Sequence, residues 1–229
     1  MEGATPGRGS VLSAKVTMSI RMLLKGGDRR SKGRSDALAA DATQDAGLVA
    51  ELVEAMLDSD ELVRLRAADA LEKASAESPE LLAPHVAKIL GPVADVEQSD
   101  VRWHVAQMIP RLMLDGAGLR RAGEVLRSTL KSDSRIARVM AMDALVRLAD
   151  RAPRFRKPAT GAVSRALAGG SPAERARARQ LARERGWLAT AVGVPAKRGR
   201  PGKAGLATAG QARPGSRQER WRRAAQAYW

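Results

Sequence analysis

Residues 63–74, VRLRAADALEKA, decide the fold because their pattern returns twice along the chain. The segment VRWHVAQMIPRL begins at Val101, 38 residues later, and ARVMAMDALVRL begins at Ala137, after a further 36. In each segment the apolar side chains recur after four, four and three residues, which places them on one side of an α-helix. One apolar helical face therefore occurs three times, as in repeat architectures. The aligned columns are Val63/Val101/Ala137, Ala67/Val105/Ala141, Leu71/Ile109/Leu145 and Ala74/Leu112/Leu148.

A second apolar pattern precedes each of these segments at the same offsets. It predicts a further helix in every unit, so that each repeat is an antiparallel helix pair. Ser and Asp residues stand at the breaks between helices, where they can cap the helix that follows. The upstream columns are Leu48/Val86/Ala122, Leu52/Leu90/Leu126 and Met56/Ala94/Leu130, and the breaks fall at 58–60, 78–79, 99–100, 115–116 and 132–134.

A fourth and weaker unit runs from about Phe155 to Gly186. Its second helix is predicted to begin at Ser171-Pro172, a favourable pair of N-cap and first-turn residues. The sequence that follows, AERARARQLARE, is far more basic than its counterparts. This predicts a terminal capping repeat, whose outer face meets solvent.

The composition agrees with an all-α fold. The 229 residues include one Phe and one Tyr, so the core must be built from aliphatic side chains. Ala, Leu, Arg and Glu dominate and β-branched residues are sparse, which favours helix wherever Gly and Pro do not interrupt.

The second helices resemble those of HEAT repeats, in which Val-Arg is followed by Ala and Ala-Leu at helical spacing, and residues 63–71 match that pattern. The segments GGDRRSKGRSDAL (26–38), VRLRAADALEKA and EQSDVRWHVAQMIPRL (97–112) are similar to small bacterial HEAT-repeat proteins. The likeness covers residues 20 to 186. It implies a fold but supplies no reaction and no ligand.

The resemblance implies a right-handed α-solenoid of about four HEAT-like helix pairs, an armadillo-type superhelix. We expect the solenoid to span residues 21–188, with repeats at about 45–77, 79–114, 116–152 and 155–187. Residues 1–20 are predicted to be disordered, and residues 189–229 to form a disordered, basic, low-complexity tail.

Several function classes have no support in the sequence. The chain has no Cys and two His, and no spacing of His with Asp or Glu forms a metal-binding face. Neither a nucleophile elbow nor a phosphate-binding loop occurs, and no apolar run reaches the 18 to 20 residues of a membrane span. We therefore predict a non-enzymatic, soluble, cytoplasmic protein without cofactor, metal or membrane contact.

The columns beside the apolar stripe are predicted to line the concave face that solenoids use for binding. They are apolar in the centre with mixed charge around, which suits a protein or peptide partner. Trp103 is the best anchor there, although large apolar residues on helices are usually buried and it can equally pack as core. The predicted face comprises Leu65, Arg66, Asp69, Trp103, His104, Gln107, Val139, Met140 and Asp143.

Another column, Arg64/Arg102/Arg138, is open to two interpretations. Three arginines in a row could bind phosphates. In HEAT repeats, however, this arginine typically joins a ladder with acidic residues at the turns, and the resemblance favours that structural role. The acidic residues near suitable places are Asp58, Asp100 and Asp133.

An enzymatic alternative also follows from the fold. DNA glycosylases that remove alkylated purines use a HEAT-like fold with aromatic residues and an Asp on a basic concave face. Trp103 and Asp143 could occupy those roles here, but the repeat body is acidic and duplex binding needs several cations near phosphates. The analogy therefore rests on the fold alone.

The formal charge of +15 is concentrated in the C-terminal third. Residues 45–152 carry 14 Lys/Arg and 18 Asp/Glu, whereas residues 153–229 carry 18 and 3. Within the tail, Lys197-Arg198-Gly199-Arg200-Pro201-Gly202-Lys203 resembles an AT-hook, in which Gly lets an extended backbone enter the minor groove between flanking arginines. The alternative is a generic basic tail. Either reading predicts binding to nucleic acid or another polyanion.

The glycine-rich segment at residues 26–31 also has two interpretations. Its backbone amides and two arginines could bind an anion. A Gly-rich turn before a helix is the simpler explanation.

Overall fold

The structure of the protein is a computed structural model, which describes residues 20–28, 31 and 33–195. These residues form helices joined by short turns, with no β-strand among them, so the all-α prediction is confirmed. The α-helices are α1 (Ile20–Leu24), α2 (Ser35–Ala42), α3 (Ala46–Ala55), α4 (Glu61–Glu77), α5 (Val86–Lys88), α6 (Ser99–Met108), α7 (Gly116–Thr129), α8 (Arg135–Arg151), α9 (Arg156–Gly169), α10 (Pro172–Glu184) and α11 (Gly186–Val192).

Five helices, α2, α4, α6, α8 and α10, pack one against the next in chain order. Helix α4 contacts α2 on one side and α6 on the other, α6 contacts α8, and α8 contacts α10. Helices α3, α7 and α9 pack against α4, α8 and α10 respectively, and α9 also contacts α8. The predicted second helices of the four units are thus consecutive neighbours, and α2 adds a fifth helix at the N-terminal end.

The core is built from the apolar columns that the sequence pattern identified. Every residue of the four columns, which lie in α4, in α6 with the 3-10 turn that follows it at Ile109–Arg111, and in α8, is at most 1% exposed. They include the large side chains Leu71, Ile109 and Leu145. Burying one such side chain stabilises a fold by roughly 1.5–3 kcal/mol. Of the upstream residues, Leu52, Leu90 and Leu126 are buried as well, so the repeated stripe is the core of the molecule.

Polar residues at the predicted breaks start four of the helices. Asp60 accepts hydrogen bonds from the amides of the first turn of α4, Asp115 does so for α7, and Ser134 does so for α8. Ser171 forms a reciprocal capping box with Glu174 at the start of α10. These side chains satisfy amides that the helix itself leaves without a partner.

The first helix of the second unit departs from the predicted regular helix. Residues 79–93 form a 3-10 stretch, the short α5 and a π-helical turn. Pro84 and Pro92 lack the amide hydrogen that a continuous helix needs, and Gly91 adopts a non-helical backbone with φ −97° and ψ −115°. The apolar register survives this irregularity, since Leu82, Ile89 and Leu90 are buried.

Two short helices lie at the ends of the described chain. Helix α11 packs on α9 and α10 and buries Leu188 and Ala189, so helical structure runs past the boundary predicted at residue 188. At the other end, α1 packs against α3 and α4. None of the helices in the described residues has the length and apolar character to cross a membrane.

Candidate partner-binding face

The predicted partner-binding residues lie along α4, α6 and α8. Arg66, His104 and Val139 are 2%, 1% and 6% exposed, so the prediction that these three line an accessible face is wrong. The other six are partly exposed: Leu65, Asp69, Trp103, Gln107, Met140 and Asp143.

Arg66 is buried because it holds the loop between α1 and α2. Its Nη1 donates to the carbonyl oxygens of Leu24 and Gly26, at 2.7 and 2.6 Å. Its Nη2 donates to those of Asp28 and Ser31, at 3.2 and 3.1 Å, and its Nε also reaches Ser31, at 3.2 Å. Hydrogen bonds to main-chain oxygens thus satisfy a buried guanidinium that would otherwise be costly. Arg66 is a structural residue of this loop.

Two glycines allow the loop to close around that guanidinium. Gly33 has φ +54°, and a Cβ atom at this position would lie 2.9 Å from Cζ of Arg66. Gly27 has φ +76°, and its Cβ would lie 3.3 Å from Nη2 of Arg66. The carbonyl oxygens of the segment therefore face a cation of the protein itself, which supports the turn interpretation of residues 26–31.

Arg177 of α10 directly precedes the buried Ala178, as Arg66 of α4 directly precedes the buried Ala67, so the two arginines share one helical position. No role for Arg177 was predicted from the sequence. Arg177 donates from Nη2 to Oδ1 of Asp143 on the neighbouring helix α8. Arg147 donates from Nε to Oδ2 of the same carboxylate at 2.6 Å. Because both oxygens of Asp143 accept from guanidinium groups, this carboxylate is placed for an inter-helix ion pair rather than for chemistry on a ligand. The signal in the sequence was the shared helical position.

In α6 the same position holds His104, whose two ring nitrogens have no hydrogen-bond partner among the described residues. The ring stacks on Trp103, with centroids 3.4 Å apart. Burial lowers the pKa of His104 below its ordinary value, although Asp69, Glu72 and Asp100 attract a proton to it. The imidazole is therefore neutral at pH 7.

Asp69 belongs to a polar cluster between α2 and α4. Ser35 donates from Oγ to Oδ2 of Asp69 at 2.6 Å, and the ammonium group of Lys73 contacts both Asp69 and Asp36. Burial favours the neutral acid, but the positive charge of Lys73 and the hydrogen bonds from Lys73 and Ser35 hold the pKa of Asp69 below its usual value. Asp69 thus ties two helices together and leaves only part of its side chain for a partner.

The arginine column shows a repeated structural role with different partners from those predicted. Arg64 donates from Nη1 to the carbonyl oxygens of residues 58 and 59, and from Nε to Oε1 of Gln98 at 2.7 Å. Arg138 donates from Nη1 to those of residues 132 and 133, and from Nε to Oε1 of Glu174 at 2.7 Å. Each guanidinium therefore joins the turn before its own helix to the start of the next second helix. Main-chain oxygens replace the predicted carboxylates of Asp58 and Asp133.

The ion pair with Arg138 has a strong effect on Glu174. The hydrogen bond from Arg138, together with those from Ser171, lowers the pKa of Glu174 to about 2. Arg102, in the middle of the column, differs from the other two. Its Nη2 donates to Oγ of Ser128 at 3.2 Å, while its buried Nε has no partner in the described residues.

The accessible part of the predicted face is apolar at its centre and ion-paired at both sides. Leu65 and Trp103 stay outside the hydrophobic core cluster, and Met140 packs on its edge. Lys73 with Asp69 lies on α4, and Arg147 with Asp143 lies on α8. The indole of Trp103 is partly exposed, although its Nε1 is buried without a hydrogen-bond partner among the described residues. The exposed part of the ring, between charged clusters, suits an apolar side chain of a partner.

The predicted nucleic-acid-binding residues Lys197, Arg198, Gly199, Arg200, Pro201 and Lys203 lie outside the described residues. Within the described ranges, no three His, Asp or Glu side chains come together in a group that could hold a metal ion.

A scan against protein-family models, a search of curated proteins and a search of solved structures each found no match to this chain.

Proposed function

We propose that this protein is a non-enzymatic HEAT-type scaffold that binds a protein or peptide partner with α4, α6 and α8 and holds nucleic acid with its basic tail. In this proposal the helices form a right-handed α-solenoid of about four HEAT-like pairs. The observation that carries it is Trp103, a partly exposed aromatic residue on the central helix α6 that stays outside the core cluster.

The repeated contacts support the solenoid. Arg64 and Arg138 bind the carbonyl oxygens five and six residues before them and then reach the next second helix. The same contact made in two units supports the proposal that these units stack in the same way. Such stacking leaves an extended surface on the second helices, which is the surface that repeat proteins use for binding.

The glycosylase alternative gains no support from the site. Asp143, the acid that the analogy requires, is engaged on both oxygens by Arg147 and Arg177. Both carboxylate oxygens of Asp143 therefore face guanidinium groups of the protein and not the space that a substrate would occupy. The non-enzymatic proposal is therefore the better supported of the two.

The partner half of the proposal can be tested with peptides selected from a random library on the full chain. We expect Trp103→Ala to weaken the binding of a selected peptide at least tenfold, since large apolar anchors dominate such interfaces. Met113→Ala is the matched control, because Met113 is a large apolar residue that is 77% exposed elsewhere. Equal affinities for the wild-type chain and the Trp103 variant would remove this face from the proposal.

The tail half can be tested by salt titration of duplex DNA binding. Replacing Lys197, Arg198, Arg200 and Lys203 with Gln should flatten the slope of log K against log salt by roughly 3 to 4, about 0.9 for each lost phosphate contact. The control replaces four exposed cations with Gln, and these are Arg120, Arg127, Lys131 and Arg151. A tail variant that binds with the wild-type slope contradicts this half of the proposal.

A further inference from the structure

The last long helix, α10, carries three arginines on one side. Arg175, Arg179 and Arg183 follow each other at intervals of four residues, which places them in a row along the helix. Arg179 and Arg183 are exposed, and Arg175 is half-buried beside the carbonyl oxygen of Gly170, to which it donates. With a rise of about 1.5 Å per residue, neighbouring cations in this row lie about 6 Å apart along the axis.

The acidic residues around this row are already used by other contacts. Residues 153–195 contain nine Lys/Arg and two Asp/Glu. Glu174 binds Arg138, and Glu184 binds Gln180 and Arg185. Two of the nine cations, Arg177 and Arg185, pair with carboxylates of α8.

The remaining seven cations have no carboxylate within ion-pair distance among the described residues. They are Arg154, Arg156, Lys157, Arg165, Arg175, Arg179 and Arg183.

A row of like charges weakens the helix that carries it, because cations four residues apart repel each other. A terminal repeat that only needed a soluble outer face could use mixed charges, as the exposed surface of α7 does with Arg120, Glu124 and Arg127. The three cations in one row on α10, next to carboxylates that already have partners, instead favour a polyanion as the species that covers this side.

The row also lies next to the point where the basic tail begins. Helix α11 packs directly on α9 and α10, and Arg156 of α9 lies over the ring of Trp187 in α11, 5.6 Å from its centroid. The sequence continues from residue 195 into 34 residues with nine Lys/Arg and one Glu. The last helices of the described chain therefore place positive charge close to residue 195, where the basic sequence begins.

We infer that the arginine row on α10 binds the phosphate backbone of duplex DNA, so that the helical body and the tail hold one duplex together. Phosphates follow one DNA strand at about 3.4 Å along the duplex axis, so cations about 6 Å apart can meet successive or alternate phosphates. Contacts of this kind position a protein without reading base sequence. This inference rests on the proposed function and names a second surface for the same ligand.

The test is a salt titration of binding to a short fluorescent DNA duplex, measured by anisotropy with full-length variants. Arg179→Gln with Arg183→Gln removes two charges and keeps helix propensity, since Gln and Arg are similar helix formers. We expect the slope of log K against log salt to flatten by about 2 and affinity at low salt to fall. Arg120→Gln with Arg127→Gln removes the same charge from exposed positions of α7 and should change the slope by less than about 0.5.

The outcomes separate this inference from the tail proposal. If the α10 and α7 variants give the same slope, the arginine row does not bind DNA, whatever the tail does. If the tail variant keeps the wild-type slope of log K against log salt while the slope of the α10 variant flattens, the row is the DNA site and the tail proposal fails. If the full chain binds no duplex at low salt, both fail. Far-ultraviolet circular dichroism of each variant checks that loss of binding does not reflect loss of helix.

Discussion

The two ends of the described chain use arginines in opposite ways. At the N-terminal end, Arg66 is buried and surrounded by main-chain carbonyl oxygens of the loop between α1 and α2. At the C-terminal end, Arg179 and Arg183 are exposed on α10 and have no carboxylate partner among the described residues. Net charge alone therefore does not locate a binding surface. A cation can bind a ligand only when its side chain is exposed and is not already held by hydrogen bonds or ion pairs within the protein.

The largest expected effect is at the N-terminal end. Arg66→Met should lower the free energy of unfolding by about 3 kcal/mol, because the buried carbonyl oxygen of Leu24 and three partly buried carbonyl oxygens of the loop lose their donor. Main-chain oxygens do not titrate, so this loss should be the same at pH 7 and pH 4.5. Urea denaturation at both pH values measures it, with Arg127→Met on the exposed side of α7 as the control expected to stay within about 0.5 kcal/mol of wild type. A loss below 1 kcal/mol would mean that the loop does not depend on Arg66.

The second largest effect is expected at the contact between α8 and α10, where Arg138 pairs with the carboxylate of Glu174 and not with main-chain oxygens alone. The pKa of Glu174 in the folded protein lies at about 2, below the ordinary value of 4.5 for this carboxyl group. A group whose pKa falls on folding contributes stability above its unfolded pKa and loses it as pH drops towards the folded one. Glu174→Gln should therefore cost about 2 kcal/mol at pH 6. The difference in free energy of unfolding between wild type and Glu174→Gln should shrink between pH 4.5 and pH 2, whereas that for Arg66→Met should stay constant. Urea denaturation across this range measures both differences. A constant difference for Glu174→Gln would contradict this explanation.

A third comparison sharpens the role of the N-terminal loop. Gly26 and Gly33 both have positive φ, but a Cβ atom at residue 33 would press on Arg66 and one at residue 26 would meet nothing within 4 Å. Gly33→Ala should thus destabilise the protein by about 1 kcal/mol more than Gly26→Ala, which carries only the backbone strain. Thermal unfolding of the two variants gives the difference, and equal melting temperatures would show that the loop does not pack against the guanidinium.

The smallest effect concerns His104, between the two ends. Burial keeps its pKa below the ordinary value, so the unfolded chain binds the proton more readily and the folded protein loses stability as pH falls below that ordinary value. His104→Met, which places here the residue found at the equivalent position in α8, should reduce the loss of stability between pH 8 and pH 5.5. His85→Met is the control. Wild-type pH dependence in the His104 variant would contradict this account.

The sequence was sufficient to predict the all-helical fold and its buried columns, because the spacing of apolar residues in residues 63–74, 101–112 and 137–148 is dictated by helix geometry. The sequence alone does not predict which arginines are exposed and which are buried. Arg66 and Arg64 stand two residues apart in the same motif, and only the loop that folds back from α1 determines that Arg66 is covered. Contacts between distant segments of this kind leave no periodic signal. Pro84 and Pro92 do indicate an interrupted helix at residues 79–93. A regular helix is predicted there because the apolar columns of the repeat align through this stretch.

The central claim is that a duplex binds at the C-terminal end of the helical body and not at the N-terminal end. The chain has no cysteine, so single dyes can be placed through Ala176→Cys on α10 and Ala40→Cys on α2, both at exposed positions. Energy transfer to an acceptor-labelled DNA duplex at low salt compares the two sites directly. The account predicts strong transfer from residue 176, weak transfer from residue 40, and loss of both at high salt. Equal transfer from the two sites, or stronger transfer from residue 40, would contradict it.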